Sequence, residues 1–179
     1  ELYIYKEIGK KENIEFIFLT YGDERDLSLV DESIKTVPVY KYFKFSKNRF
    51  LRYLHSFLLP IKLRKQIGSF DLIKQNQLLG SWTSIIFKLL YRKPLFIRTG
   101  YDMYKFSVYE KKKKYIQALY KFLTKFSIYF SDLYSVSSKT DFDFFNDSYK
   151  LQDKLILRPN WVTSNKNLEL DSRNDHALL

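Results

Sequence analysis

The sequence has no cysteine and only 2 histidines in 179 residues. That removes a disulfide framework, a cysteine zinc site and a thiol nucleophile, and it leaves too few imidazoles for a histidine-built metal centre. Glycine (5) and proline (4) are scarce as well, which excludes collagen-like, linker-like and repeat-rich architectures. No apolar run approaches the ~18 residues needed to span a bilayer, and no basic segment followed by an apolar core opens the chain as a signal peptide would. The expectation is a cytoplasmic protein, soluble or peripheral on the inner face of the membrane. Neither G-x-G-x-x-G nor G-x-x-x-x-G-K-[ST] occurs, so the chain shows no complete dinucleotide fingerprint and no P-loop.

Hydrophobic residues make up 45% of the chain and aromatic residues 18%, enough for one domain with a core packed largely by Phe and Tyr. The net charge of +11 is unevenly spread. Residues 1–32 hold 4 basic and 9 acidic groups, residues 33–101 hold 14 and 1, and residues 102–179 hold 13 and 10. No acid stands between Glu32 and Asp71, a segment in which nine Lys and Arg residues alternate with Phe and Tyr.

Apolar periodicity divides the chain into alternating elements. Leu2, Ile4, Tyr5 and Ile8 share a helix face that closes near Gly9. Asn13–Thr20 reads as a buried strand, and Thr36–Tyr40 as a shorter one weakened by Pro38. Phe50, Leu54, Phe57, Leu58 and Ile61 predict the apolar face of a helix over Lys47–Gln66, with Pro60 kinking or splitting it. Strands are predicted at Asp71–Gln75, Pro94–Arg98, Leu133–Val136 and Lys154–Leu157. Helices are predicted at Ser81–Tyr91 and Tyr109–Phe130, the latter striped by Ile116, Leu119, Leu123, Phe126 and Phe130. Ser138 with Asp141 forms a capping-box pattern opening a helix to about Tyr149. This alternation predicts an α/β class, a Rossmann-like parallel sheet flanked by helices. The aperiodic, polar stretch 163–179 reads as a linker after a domain spanning 1–162.

In an open parallel sheet, ligands gather beyond the carboxyl ends of the strands. Asn76, Gln77 and Gly80 follow one predicted strand; Arg98, Thr99, Gly100, Tyr101 and Asp102 close or follow the next; Ser135, Ser137 and Ser138 close or follow the third; and Asn160 follows the fourth. Singly, each suits a turn or a cap. Together they predict a ligand-binding crevice. Gly100 would let a ligand approach the backbone, and Arg98 can fork onto a phosphate or carboxylate. The competing reading is a tight turn with Arg98 paired to Asp102. Asp141 and Asp143 spell D-x-D, but helical spacing sends positions i and i+2 to different sides, so a metal site is not expected there. The sequon at Asn146 carries little weight without a secretory signal.

The basic, aromatic stretch leaves three readings open: an ordinary helix with a solvated face, a membrane-surface element, or a nucleic-acid contact, the last least favoured. For the membrane reading the contacting cations are Lys41, Lys44, Lys47, Arg49, Arg52, Lys62, Arg64 and Lys65, drawn to anionic headgroups.

The succession FDLIKQNQ, GSWTSIIFKLL, RKPLFIRTGYD, a long helix, SDLYSVSSKTD and KLILRPNWV resembles the N-terminal domain of GT-B fold glycosyltransferases of the family-four type. The likeness is carried by Lys93 to Asp102, Ser131 to Ser138 and Pro159 to Val162; it covers residues 71–165 well and residues 1–70 only by element order. Trp161 and Thr163 stand where the family's turn has Gly and Asp, and Gly100 to Asp102 stand where many members carry His. The resemblance implies half of a GT-B fold, with the first strand and its glycine-rich loop lying before Glu1 and a C-terminal donor domain following Leu179. It implies a transferase moving a sugar from a nucleotide-sugar donor to a glycan or lipid-linked glycan, with no cofactor or metal in this part and with the acceptor bound by the strand-end residues named above. Asp102 would be the general base only if the reaction inverts configuration. The chain alone, lacking the donor domain, is expected to be inactive. The rival class is a non-enzymatic basic α/β domain binding anionic lipid or nucleic acid.

Overall fold

A computed structural model describes residues 2–30, 33–151 and 153–160; the linker expected over 163–179 and the turn residues from Trp161 onward lie outside the described residues. The chain opens with helix α1 (Leu2–Glu12), strand β1 (Ile17–Thr20), a short α2 (Asp26–Leu29), β2 (Lys35–Pro38) and a short α3 (Val39–Tyr42). Next come α4 (Arg49–Lys62), α5 (Arg64–Ile67), β3 (Ile73–Asn76), α6 (Ser81–Tyr91) and β4 (Leu95–Thr99). The rest is α7 (Met103–Tyr109), α8 (Lys114–Phe130), β5 (Leu133–Val136), α9 (Lys139–Tyr149) and β6 (Leu155–Leu157).

All pairings are parallel, and the α/β class stands. The segments expected in one sheet nevertheless divide between two. β1 pairs only with β2, while β3, β4, β5 and β6 form a four-stranded sheet in chain order. Leu95, Ile97, Tyr134, Val136 and Leu155 supply the packed face of the larger sheet, against Ile85 of α6, Ile128 of α8 and Phe145 of α9. A second core joins Val37, Val39, Phe43, Leu59, Leu63, Ile67 and Phe87, with Ile17 and Leu19 of β1 and Ile73 of β3 at its margin. Helix α1 spans both sheets: the Tyr5 ring meets Phe16 and Phe18 edge-on, and its hydroxyl lies 3.0 Å from Lys74 Nζ on β3.

Several boundaries differ from the sequence reading. α1 runs past Gly9 to Glu12, where Asn13 takes φ 52°, a left-handed conformation that Asn tolerates, so β1 starts only at Ile17. The helix expected over Tyr109–Phe130 starts only at Lys114: a separate α7, which the sequence reading lacks, ends at Tyr109, and Lys111 at φ 52° turns the chain between the two. The face of α8 that turns inward carries Gln117, Thr124, Ser127 and Ile128, while Leu119 of the predicted stripe is exposed. Small side chains let α8 approach α6 closely; Ser81 and Ser127 hydroxyls meet at 2.7 Å.

In α4 the structure decides what the sequence left open. Its apolar stripe points to solvent: Phe50, Leu54, Phe57, Leu58 and Ile61 are all exposed, and Ser56, Leu59 and Pro60 are the buried residues. The helix does not split at Pro60 but continues to Lys62 and breaks at Leu63. Proline has no amide hydrogen for the carbonyl four residues back, that of Ser56. Thr83 of α6 replaces it, donating its hydroxyl to Ser56 O at 3.1 Å. The Ser56 hydroxyl donates to Tyr53 O (2.6 Å) and accepts from Trp82 Nε1 (2.7 Å), and Tyr91 OH donates to Pro60 O (2.8 Å). These bonds fix both the seam between α4 and α6 and the roll of α4 about its axis.

Removing the substitute donor should therefore be costly, and restoring a backbone amide should repair it. Thr83→Val is expected to destabilise the chain by about 1 to 3 kcal/mol through the unsatisfied carbonyl, and adding Pro60→Ala should recover part of that loss. Urea unfolding of the double-mutant cycle measures the coupling; additive effects would show that Thr83 does not serve the Ser56 carbonyl.

Candidate functional site

Three hydrogen bonds join the four loops at the carboxyl end of the larger sheet. The Gln77 amide, in the loop after β3, donates to Arg98 O of β4 at 2.8 Å. The Ser137 hydroxyl, after β5, donates to Gly100 O, after β4. Arg98 Nη2 donates to Asn160 Oδ1, beyond β6, at 2.6 Å. Arg98 is therefore committed to Asn160, not to Asp102 as the tight-turn reading held.

The β3 loop is held by its own residues. Gln75 accepts from the Ser84 hydroxyl (2.7 Å) and donates through Nε2 to Gln77 O (3.1 Å), bracing a turn in which Gln77 (φ 88°) and Gly80 (φ 87°) are both left-handed. Gln75 was not singled out from the sequence; its place as the last but one residue of a strand, ahead of two turn residues, is the signal that points to it. Gly80 caps α6, while Asn76 lies on an exposed position paired in register with Arg98.

Around β4 the residues separate by depth. Tyr101 is exposed, its ring 5.4 Å from that of Phe106, and offers an aromatic surface at the rim. Gly100 is exposed too, and a Cβ built on it meets no atom within 4 Å. Neither packing nor a positive φ requires glycine there, so its smoothness is turned to the outside. Thr99 is buried, its hydroxyl beside the Tyr134 phenol. Asp102 is only 3% exposed and caps α7, Oδ1 accepting from the Lys105 amide while Oδ2 is buried without a partner. Burial, reinforced by the nearby charge of Asp141, pushes its carboxyl above the usual range. Burial also raises the phenols of Tyr134 and Tyr149 beside it.

Ser138 is spent on capping α9: its hydroxyl accepts from the Asp141 amide (3.0 Å) and donates to Asp141 Oδ2 (2.8 Å). Asp141 faces inward toward Ser138 and Lys105, while Asp143 is exposed and paired with Lys139 at 2.7 Å. The two carboxylates of the D-x-D therefore diverge. Among the described residues no group of three His, Asp or Glu side chains is placed to hold a metal ion.

A surface depression of about 550 Å³ lies at the opposite end of the strands, lined by Lys88, Leu89, Arg92, Lys93, Pro94 and Asp132. Asp132 there has a structural task. Partial burial would lift its carboxyl, but hydrogen bonds from Lys88 Nζ and the Leu95 amide outweigh that and hold it below the usual range. With its carboxylate engaged by Lys88, and Lys93 paired with Asp71, this depression is a weaker candidate than the loop rim.

The rim thus assembles Asn76, Gln77, Arg98, Gly100, Tyr101, Ser137 and Asn160, an arrangement of planar amides, one guanidinium, a hydroxyl, open backbone and an aromatic face. Such a set suits a polyhydroxylated ligand, whose neighbouring hydroxyls both donate and accept. Comparison with known proteins finds no family model that matches the chain and no curated protein of significant similarity.

Two measurements probe this geometry. Gly100→Ala should leave stability within about 0.5 kcal/mol, because its Cβ enters open space, whereas Gly80→Ala should cost about 1 to 2 kcal/mol for a left-handed alanine; equal losses by chemical denaturation would show that Gly100 is structural. For Asp102, a carboxyl raised in the folded state binds its proton more tightly there than in the unfolded chain. Its contribution therefore falls as pH rises through the unfolded value of about 3.9 and on to the folded one. Asp102→Asn keeps the cap without the charge, so its stability relative to the parent should increase as pH rises above about 4; a difference that does not vary with pH would remove the buried charge from the account.

Proposed function

We propose that this chain is the acceptor-binding half of a GT-B glycosyltransferase that moves a sugar from a nucleotide donor to a glycan or lipid-linked glycan. The observation that carries the reading is the hydrogen-bonded rim across four consecutive strand ends, in which Gln77, Arg98, Gly100, Ser137 and Asn160 are tied to one another. These are the same loops that carry the sequence resemblance to the family-four type.

In this reading Asn76, Gln77 and Ser137 bind acceptor hydroxyls, Tyr101 covers the apolar face of a sugar ring, and Arg98 faces the groove to a second domain that grips the donor. Its guanidinium, oriented by Asn160, is placed to stabilise negative charge developing on a leaving diphosphate. Asp102 acts through position: it caps α7 and so holds the Gly100–Tyr101 turn. An Asp102 base would require its buried Oδ2 to be uncovered, which favours the capping role.

Arg98→Ala in the full-length enzyme should leave the fold intact and lower transfer by about tenfold or more, the value of one charged hydrogen bond of ~1.5 to 3 kcal/mol. Unchanged kinetics with saturable acceptor would reduce Arg98 to a loop tie. The 179-residue chain by itself should show no turnover, and sugar transfer by it would overturn the division of labour between the two halves.

A further inference from the structure

The outward face of α4 is more apolar than its inward face. Phe50 is 67% exposed and Ile61 60%, and Leu51, Tyr53, Leu54, Phe57 and Leu58 are exposed with them. At 3.6 residues per turn these seven occupy roughly 160° of the helix circumference. A surface helix of a globular domain ordinarily turns such a stripe to the core, and a patch of this extent marks an interaction site. The seam with α6 prevents α4 from rolling inward, because Ser56, Leu59 and Pro60 already occupy that side.

Charge identifies the occupant. No charged residue falls within the apolar arc; Arg49 borders one edge and Lys62 the other, and Lys44, Lys47 and Lys65 are exposed just before and after the helix. Among the described residues none of these five is paired with an acid. A second copy of the chain would bring two such basic rims together, and a nucleic acid would leave the aliphatic centre of the patch in water. An anionic bilayer satisfies both parts at once. The helix, about 21 Å long at 1.5 Å per residue, is too short to cross a membrane and suited to lie in its surface. Trp82 adjoins the patch, stacked on Phe57 at 6.0 Å and near Tyr53 at 5.9 Å.

We propose that α4 docks this protein in the plane of an anionic lipid bilayer, with Phe50, Leu54, Phe57 and Ile61 among the acyl chains and Lys47, Arg49, Lys62 and Lys65 on lipid phosphates. The proposal stands apart from the transferase reading, since it rests on a different surface and its test involves no sugar.

The test is sedimentation of the 179-residue chain with vesicles of phosphatidylcholine, with and without about one third phosphatidylglycerol. The parent should bind the anionic vesicles, more weakly as salt rises, and in a Trp161→Phe background Trp82 emission should shift to the blue. Phe50→Ser with Ile61→Ser, both at exposed positions, should weaken binding by about tenfold or more with an unchanged circular dichroism spectrum. Lys47→Glu with Arg49→Glu should weaken it comparably, which tests the electrostatic half by a separate route. Equal binding to both vesicle types would overturn the proposal, as would binding that neither pair of substitutions reduces. A lipid-indifferent dimer that dissociates on Phe50→Ser with Ile61→Ser would assign the patch to a second copy, and binding of an RNA oligonucleotide in place of vesicles would assign it to nucleic acid.

Discussion

The carbonyl of Ser56, deprived of its helical donor by Pro60, is the constraint on which much of the molecule's shape depends. A buried carbonyl needs a donor, and the one at hand is the hydroxyl of Thr83 on the neighbouring helix. Once α4 is attached to α6 through that bond, through Trp82 on the Ser56 hydroxyl and through Tyr91 on Pro60 O, its roll is settled. Ser56, Leu59 and Pro60 then face the core, and the larger apolar stripe of Phe50, Leu54, Phe57 and Ile61 faces out. A proline in mid-helix therefore acts here as an orientation device, setting which surface the domain presents.

At the opposite extreme of burial, the strand-end rim is organised by polar contacts alone. Parallel register brings Asn76 beside Arg98 and Arg98 beside Ser135, so residues far apart in sequence share one edge of the sheet. The loops then bind one another through a backbone amide, a hydroxyl and a guanidinium. Rigidity at this edge is what an ordered array of ligand-facing groups requires, because each ordered side chain has its entropy spent before the ligand arrives.

The sequence made the larger sheet legible, because β4 to β6 are short, largely apolar runs bounded by turn residues, and the Ser138–Asp141 cap was visible in its spacing. It also grouped the strand-end residues, since those lie where one element stops and the next begins. Depth was not legible. Nothing local distinguishes Asp102, buried beneath its helix, from Tyr101 at the rim, because that difference depends on Tyr134 and Tyr149 closing over it. The direction of the α4 stripe was not legible for a related reason. Periodicity marks a stripe but not its direction, and the direction was decided by Thr83 and Trp82, some 25 residues downstream. The division into two sheets depended likewise on which strands share hydrogen bonds, a matter of tertiary arrangement.

That division leaves β1 and β3 each with one backbone edge unpaired among the described residues. Open strand edges invite other chains to add to them, and proteins commonly guard such edges with a lysine. Lys74 projects from β3 with its ammonium 5.0 Å from the Tyr5 ring centroid of α1, so the guard is itself held in place by an aromatic partner. The contact between Tyr5 and Lys74 thereby couples the first helix of the chain to the strand at the sheet's border: whatever moves α1 also frees the lysine beside that edge.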